Sequence, residues 1–459
     1  MATAVWLMDL SLLGGWLPAV VVVVACGALL FGVAWSRRAL WHWIVVAAGA
    51  LVAALIVVWG LDVPSRFGST FPRSFVVWGA LPLFALGAAV WQWRQVAWWR
   101  RAVALVAMPA LASFGLLQIN AHYRYLPTVG DLLGTPMPGQ VDARQIDGPS
   151  SQRAKSARWV ATTAARRGGV VTEIDIPAPV SHFHHRAAYV WLPQAYFSSP
   201  RPHLPVLMLI SGTPGTPGDW LRAGGALNVA NRSAVAHHGD APMMVLPDAN
   251  GSALGDSECV DGPRGRAETY LTVDVPAFVH AHFGASTDPH QWAIAGLSEG
   301  GTCALELAAR HPDRFATFAD FSGDAAPTLG SQGVTERSLY GGSWRERIAH
   351  DPTTWFAIDA AADVEGFVAV GSNDHGYVAT ELRLVDLAQR DHLRVRLDVI
   401  AGGGHNFRTW AHALRDAYPW IVERLQTPPT STYNEVRATQ PAPSSHPHRR
   451  HTTPAPRLP

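Results

Sequence analysis

Lysine is nearly missing from this chain: Lys155 is the one lysine among 36 basic residues, and arginine supplies the rest. That bias reads as genomic base composition and not as function. A net charge of +1 leaves no global basic field, and with it goes the simplest route to nucleic-acid binding. Cysteine is scarce as well. Cys26, Cys259 and Cys303 are too few for a disulfide scaffold. Cys26 lies in an apolar run and Cys303 in a helix-like stretch, so both read as buried thiols, while a Cys259–Cys303 bridge stays open. No P-loop or dinucleotide fingerprint occurs. The histidine clusters (His182, His184 and His185; His237 and His238; His280 and His282) lack a metal spacing such as H-E-x-x-H, so neither cofactor nor metal is expected.

Acidic residues are almost absent before residue 100, the region that holds eleven of the 19 tryptophans. Four apolar runs fill it, at 12–35, 41–61, 74–93 and 102–119, each long enough to cross a hydrocarbon core as a helix. Trp16, Trp35, Trp41, Trp43, Trp59, Trp78, Trp91 and Trp93 lie near the ends of these runs, as an aromatic belt requires. Four runs in succession, separated by arginine-bearing joints, point to a four-helix transmembrane domain over 1–120. A cleaved signal peptide is excluded by polarity. No Lys or Arg precedes the first run, while Arg37 and Arg38 follow it. Arg37 and Arg38 in the first joint, with Arg94, Arg100 and Arg101 in the third, place those joints in the cytoplasm. Everything after residue 120 is then extracytoplasmic, in a multi-pass protein of the cell membrane.

With 459 residues the chain is long for one domain, and its character changes twice more. Residues 121–168 are mixed and rich in Gly, Pro, Ser and Arg, and read as a juxtamembrane linker with a short helix near Asp131 and an ordered patch near Trp159. From 169 to 426 strands alternate with helices, the signature of a mostly parallel α/β sheet. VVTEIDIP and HRAAYVWLP read as partners, and VLMLISG and MMVLPDANG as buried strands. AETYLTVDVPAFVHAHF reads as a helix containing one proline. ATFADFSG and GFVAVGSNDH follow as strand–loop units, then a helix over 378–390, the strand of VRLDVIAGGGH, and a last helix over 408–425. Residues 427–459 form a Pro/Ser/Thr/His tail that cannot build a core, and are expected to be disordered.

Within the sheet region, QWAIAGLSEGG (291–301) places Gly296, Ser298 and Gly300 in the G-x-S-x-G pattern between a compact apolar strand and a helix-like run. Strand, sharp turn and helix are what a nucleophile elbow needs. A serine hydroxyl attacks only when a base removes its proton, and that base needs a third group to fix its tautomer. In chain order after Ser298, Asp374 follows the strand FVAV and His405 follows the last strand in AGGGHNF, so Ser298, Asp374 and His405 form the expected triad. Asp324, Asp363 and Asp398 are rival acids. Asp398 falls within a strand, and Asp324 at the end of an earlier one. The oxyanion hole is expected from backbone N–H groups of Glu299 and of the loop SGTPGTPGDW. Pro214 and Pro217 have no N–H to give, which leaves Gly212, Thr213 or Gly215, with Thr213 preferred.

These residues resemble a known family: the esterases that include esterase D and the secreted antigen 85 mycolyltransferases. The resemblance runs from about 170 to 425. It is carried by ETYLTVDVPAFV, by GLSEGG with ARHPDRFATFADFSG, and by HNFRTW, in which Trp410 follows His405 by five residues as in the mycolyltransferases. SGTPG matches the family stretch that donates the second oxyanion N–H, which supports Thr213. The resemblance implies an α/β-hydrolase fold and acyl-enzyme chemistry, as ester hydrolysis or as acyl transfer to a sugar or lipid alcohol. Three features depart from the mycolyltransferases. Glu299 replaces the usual Met, Asp374 stands for their Glu, and apolar spans replace their secretion signal. The arrangement is more similar to membrane-bound actinobacterial esterases of the family. The expectation is therefore a membrane-anchored, extracytoplasmic serine esterase or acyltransferase acting on lipid or cell-envelope esters. The alternatives are an aminoacyl-phosphatidylglycerol hydrolase, mycolyltransferase-like transfer, and a non-catalytic binding module on the same fold.

Overall fold

The structure, a computed structural model, describes residues 6–33, 40–60, 72–147, 160–355, 363–390 and 393–426. The expected tail at 427–459, Trp159, and the Arg37–Arg38 joint lie outside the described residues.

The apolar runs fold as helices α1 (Trp16–Gly32), α2 (Leu40–Gly60), α3 (Arg73–Gln92) and α4 (Trp98–Tyr123). By length and composition α2, α3 and α4 are long and apolar enough to cross a membrane, whereas α1 is apolar but only 17 residues long. α4 packs against α1 and α3, and α3 against α2. Small side chains make the contact: Ala25, Ala28, Ala85 and Ala107 are buried around Leu111, and an added Cβ on Gly115 would stand 3.2 Å from the Trp78 carbonyl oxygen. Close approach through small residues is how helices associate when no hydrophobic force separates them from lipid. The outward faces carry Ile56, Val90 and Leu105, each more than 60 % exposed, an apolar surface suited to lipid and costly in water.

The remainder is built on one nine-stranded sheet. Its strands in chain order are β1 (Gln140–Val141), β2 (Gly169–Ile174), β3 (Ala188–Pro193), β4 (Val206–Ile210), β5 (Met243–Leu246), β8 (Trp292–Leu297), β9 (Thr317–Phe321), β10 (Glu365–Gly371) and β11 (Arg394–Ile400). Between them β6 (Asp261–Gly262) and β7 (Gly265–Arg266) make a separate small hairpin. The order across the sheet is β1-β2-β3-β5-β4-β8-β9-β10-β11. Pairing is antiparallel where β3 meets β2 and β5, and parallel elsewhere. β4, β5, β8 and β9 are buried along their whole length, which explains their unbroken apolar sequences. Helices α5 (Ala226–Ala236) and α9 (Phe407–Gln426) share one core with the sheet, and α6 (Val275–Phe283) and α7 (Glu299–Arg310) share another on its opposite face. Helix α8 (His375–Arg390) connects β10 to β11.

Three details depart from the reading of the sequence. The expected linker contributes β1, which pairs with β2, and helical residues 160–167, while the short helix expected near Asp131 is present as the capped Val129–Leu132. A two-residue strand is too short to leave a periodic trace. The proline-bearing helix holds a π-helical turn at Tyr270–Asp274 just before Pro276, where the missing N–H interrupts the usual ladder. Helix α8 starts at His375, three residues ahead of expectation, with Asp374 against its first turn: the Tyr377 and Val378 N–H groups both donate to the Asp374 carbonyl.

Candidate active site

Ser298 stands where β8 ends and α7 begins, with φ 53° and ψ −128°. A side chain in that left-handed region is strained, and such strain persists only where the surroundings over-determine it. They do here. A Cβ on Gly296 would lie 1.8 Å from the Gly300 carbonyl oxygen, and one on Gly300 would lie 2.4 Å from that of Ile210. Only glycine fits either position, so the turn holds Ser298 above the edge of the sheet.

Ser298 Oγ lies 2.9 Å from His405 Nε2, and His405 Nδ1 lies 2.8 Å from Asp374 Oδ2. A carboxylate only accepts, so Nδ1 carries the ring proton and Nε2 is left free to receive the serine proton. The loops after β10 and β11 bring the acid and the histidine together. Asn373 N–H donates to the Gly403 carbonyl at 2.8 Å, and a Cβ on Gly371 would stand 2.4 Å from the Gly403 carbonyl carbon. Tyr377 stacks on the His405 ring at 4.4 Å, and Trp410 meets it edge-on at 4.9 Å. All three expected residues thus form one relay. Of the rival acids, Asp363 is exposed and Asp398 sits within β11. Asp324 is close enough to feel the charges of His405 and Asp374, and burial pushes it up to about 6. Its backbone N–H is held by the Thr302 hydroxyl at 2.8 Å.

The two residues expected to frame an oxyanion are joined through their side chains. Thr213 Oγ1 lies 2.9 Å from Glu299 Oε2, and Asn250 Nδ2 donates to both, at 2.9 and 2.7 Å. Gly215 N–H is occupied by the Ala253 carbonyl at 3.0 Å, which removes one candidate donor and leaves Gly212 and Thr213. Glu299 is the first residue of α7, where an N–H has no partner inside its own helix. Burial, reinforced by the charge of Asp256, pushes the Glu299 carboxyl up to about 8. Arg186 braces the same loop, donating to the Gly215 carbonyl at 3.0 Å while gripping Asp248 with two bonds of 2.9 and 2.6 Å. Burial pushes Asp248 up, but the Arg186 hydrogen bonds and charge outweigh it and hold the carboxyl below its usual value.

A disulfide joins Cys259 to Cys303, across 44 residues of sequence. It ties α7 to the loop that carries Glu258, whose own buried carboxyl is pushed up by its surroundings. Because both sulfurs are in the bridge, the Cys259–Glu299–Cys303 group offers no thiolate to a metal. Sequence reasoning missed Asn250, Tyr377 and the role of Trp410 against the histidine. The five-residue interval from His405 to Trp410 was the one available signal.

The sequence profile of the family described as "Putative esterase" matches residues 183–421, more than half of the chain. This chain belongs to the esterase family. The esterase is 30% identical over 419 residues to an uncharacterized protein of Corynebacterium glutamicum (Cgl0967/cg1104), covering 88% of this chain and 94% of that one. So long an alignment cannot be confined to the sheet domain. It is also 24% identical over 177 residues to the MPT51/MPB51 antigen of Mycobacterium tuberculosis, over 38% of this chain and 56% of the antigen. Among solved structures it is similar to an S-formylglutathione hydrolase from Agrobacterium tumefaciens (TM-score 0.47, 20% identity, 56% of this chain and 96% of that one). It is likewise similar to MPT51 from Mycobacterium tuberculosis (TM-score 0.43, 20% identity, 55% and 97%). The esterase is a carboxylic ester hydrolase on an α/β-hydrolase fold.

Proposed function

We propose that this esterase is anchored in the cell membrane by its apolar helices and cleaves or transfers the acyl group of a lipid or cell-envelope ester outside the cytoplasm. The observation that carries the reading is the relay from Ser298 through His405 to Asp374 on a glycine-enforced elbow. Ser298 Oγ attacks the ester carbonyl carbon while its proton passes to His405 Nε2. The carbonyl oxygen becomes an oxyanion, received by the N–H groups of Thr213 and Glu299. Collapse breaks the ester C–O bond, and the proton on Nε2 leaves with the departing alcohol. Water or a second alcohol then gives its proton to Nε2 and attacks the acyl-serine; the acyl–Oγ bond breaks, Nε2 returns the proton to Ser298 Oγ, and the acid or the new ester leaves.

Two observations favour an extracytoplasmic domain. Arg94, Arg100 and Arg101 lie at the end of α4 remote from the sheet domain, as the positive-inside rule asks of a cytoplasmic joint. The Cys259–Cys303 bridge suits an oxidising compartment. Reaction of the full-length protein with a fluorophosphonate probe tests the chemistry. Labelling of the wild type and none of Ser298→Ala is the expected result. A folded wild type that resists the probe would overturn the reading.

A further inference from the structure

The segment that leaves α4 packs against the start of the helix that follows His405. Helix α4 stops at Tyr123 with Arg124 in a left-handed conformation (φ 57°), and the Asn120 side chain clamps the turn by bonding both the N–H and the carbonyl of Leu126, at 2.7 and 2.8 Å. One residue past that cap, Tyr125 donates its hydroxyl to Asp219 at 3.0 Å and places its ring 5.5 Å from Phe407, the first residue of α9 and two positions after His405. His122 and Tyr123 form the last turn of α4, immediately before that cap. His122 and Tyr123 in turn pack edge-on against Phe75 at the start of α3, at 5.4 and 5.7 Å.

A second strap excludes a loose tether. Leu12 N–H donates to the Pro127 carbonyl and Val129 N–H to that of Leu10, both at 2.9 Å, which pins the segment before α1 to the segment after α4. The segments joined by that strap carry large exposed apolar side chains: Trp6 and Trp16, stacked at 6.2 Å, and Leu132 and Leu133 just after Val129. Leu254, 68 % exposed, lies in the loop whose Ala253 carbonyl accepts from Gly215 N–H. Aromatic and apolar side chains at helix ends mark the boundary between headgroups and hydrocarbon. The ester carbonyls of a lipid lie at that same depth.

We propose that Ser298 takes its substrate laterally from the bilayer in which the enzyme is itself anchored. The substrate class is then a membrane-resident acyl ester in cis, not a soluble ester and not a lipid carried from another membrane. The inference rests on the serine-esterase reading above and adds the route by which the ester arrives. Confinement to one bilayer raises the effective concentration of such an ester at the site, because the encounter becomes intramembrane.

The test uses the full chain in phosphatidylglycerol/phosphatidylethanolamine vesicles, with 4-methylumbelliferyl palmitate as the probe. The ester is placed either in the vesicles that hold the enzyme or in enzyme-free vesicles mixed with them. Hydrolysis in cis at least about tenfold faster than in trans, and absent in Ser298→Ala, is the expected result. Equal cis and trans rates that still require Ser298 would overturn the lateral route and leave the esterase reading standing. Cleavage of soluble 4-methylumbelliferyl acetate with none of the bilayer-held palmitate would do the same. A Ser298→Ala protein as active as wild type on every ester would overturn both.

Discussion

Thr213 and Glu299, the two residues expected to supply the oxyanion N–H groups, are bound to each other through their side chains at 2.9 Å. The count of protons says which way that bond runs. Thr213 Oγ1 has one hydrogen, and the Gly255 carbonyl lies 2.5 Å away to accept it. The bond between Thr213 and Glu299 therefore takes its proton from a neutral Glu299, in keeping with a carboxyl pushed up to about 8 by burial and by Asp256. A neutral acid at this point ties together two loops that come from β4 and β8. An ionised one would set a negative charge beside a developing oxyanion.

The pH profile of kcat/KM should expose that ionisation. Glu299 is protonated below about 8 and charged above it, so activity falls as pH rises through that value. The fall is about tenfold per pH unit if the ionised form is inactive. Glu299→Gln keeps a neutral partner for Thr213 and abolishes the alkaline limb. An unchanged limb in the Gln variant would assign the ionisation to another group.

Asp374 and Asp324 both lie near His405, but only Asp374 bonds it. Asp374→Asn loses the carboxylate that fixes the Nδ1–H tautomer, and kcat should drop by about 10⁴. Asp324→Asn keeps the size and shape of the side chain and should cost less than about tenfold. Steady-state kinetics on one soluble ester separates the two acids, and a larger loss at Asp324 would reverse the assignment.

Legibility followed locality. The elbow was readable because β8, two obligatory glycines and the start of α7 sit within eleven consecutive residues. Asp374 and His405 were readable because each follows a recognisable apolar strand. Asn250 was not, since one asparagine after β5 carries no pattern until folding places it 2.7 Å from Glu299. The Cys259–Cys303 pairing stayed open for the same reason: a sequence separation of 44 says nothing about the distance between two sulfurs. The contact of Tyr125 with Phe407 was the least visible, because it joins the end of an apolar bundle to the start of α9 more than 280 residues away by packing alone.

Stability should fall as pH rises across the neutral range. Burial pushes Glu299 and Asp320 up to about 8, above what an unfolded chain shows for a carboxyl. Between the unfolded value, about 4, and about 8 the folded state holds protons that the unfolded state has released, so raising pH favours unfolding. Thermal unfolding of the detergent-solubilised protein should give a Tm that declines from pH 5 to pH 8. Glu299→Gln should flatten that decline, and a rising Tm over the same interval would contradict the assignment.

The disulfide gives the last prediction. Cys303 lies five residues after Ser298 on α7, and its partner Cys259 adjoins Glu258 in the loop that also carries Asp256. Closing a 44-residue loop restricts the unfolded chain by about 4 kcal/mol in the loop-entropy account. The Cys259→Ser/Cys303→Ser double variant should lose stability on that order in denaturant titrations, and wild type under strong reductant should match it. Activity should fall as well, because α7 carries Glu299 and its turn carries Ser298. A double variant that unfolds with the wild-type midpoint but reacts more slowly with a fluorophosphonate would assign the bridge to the site and not to the fold.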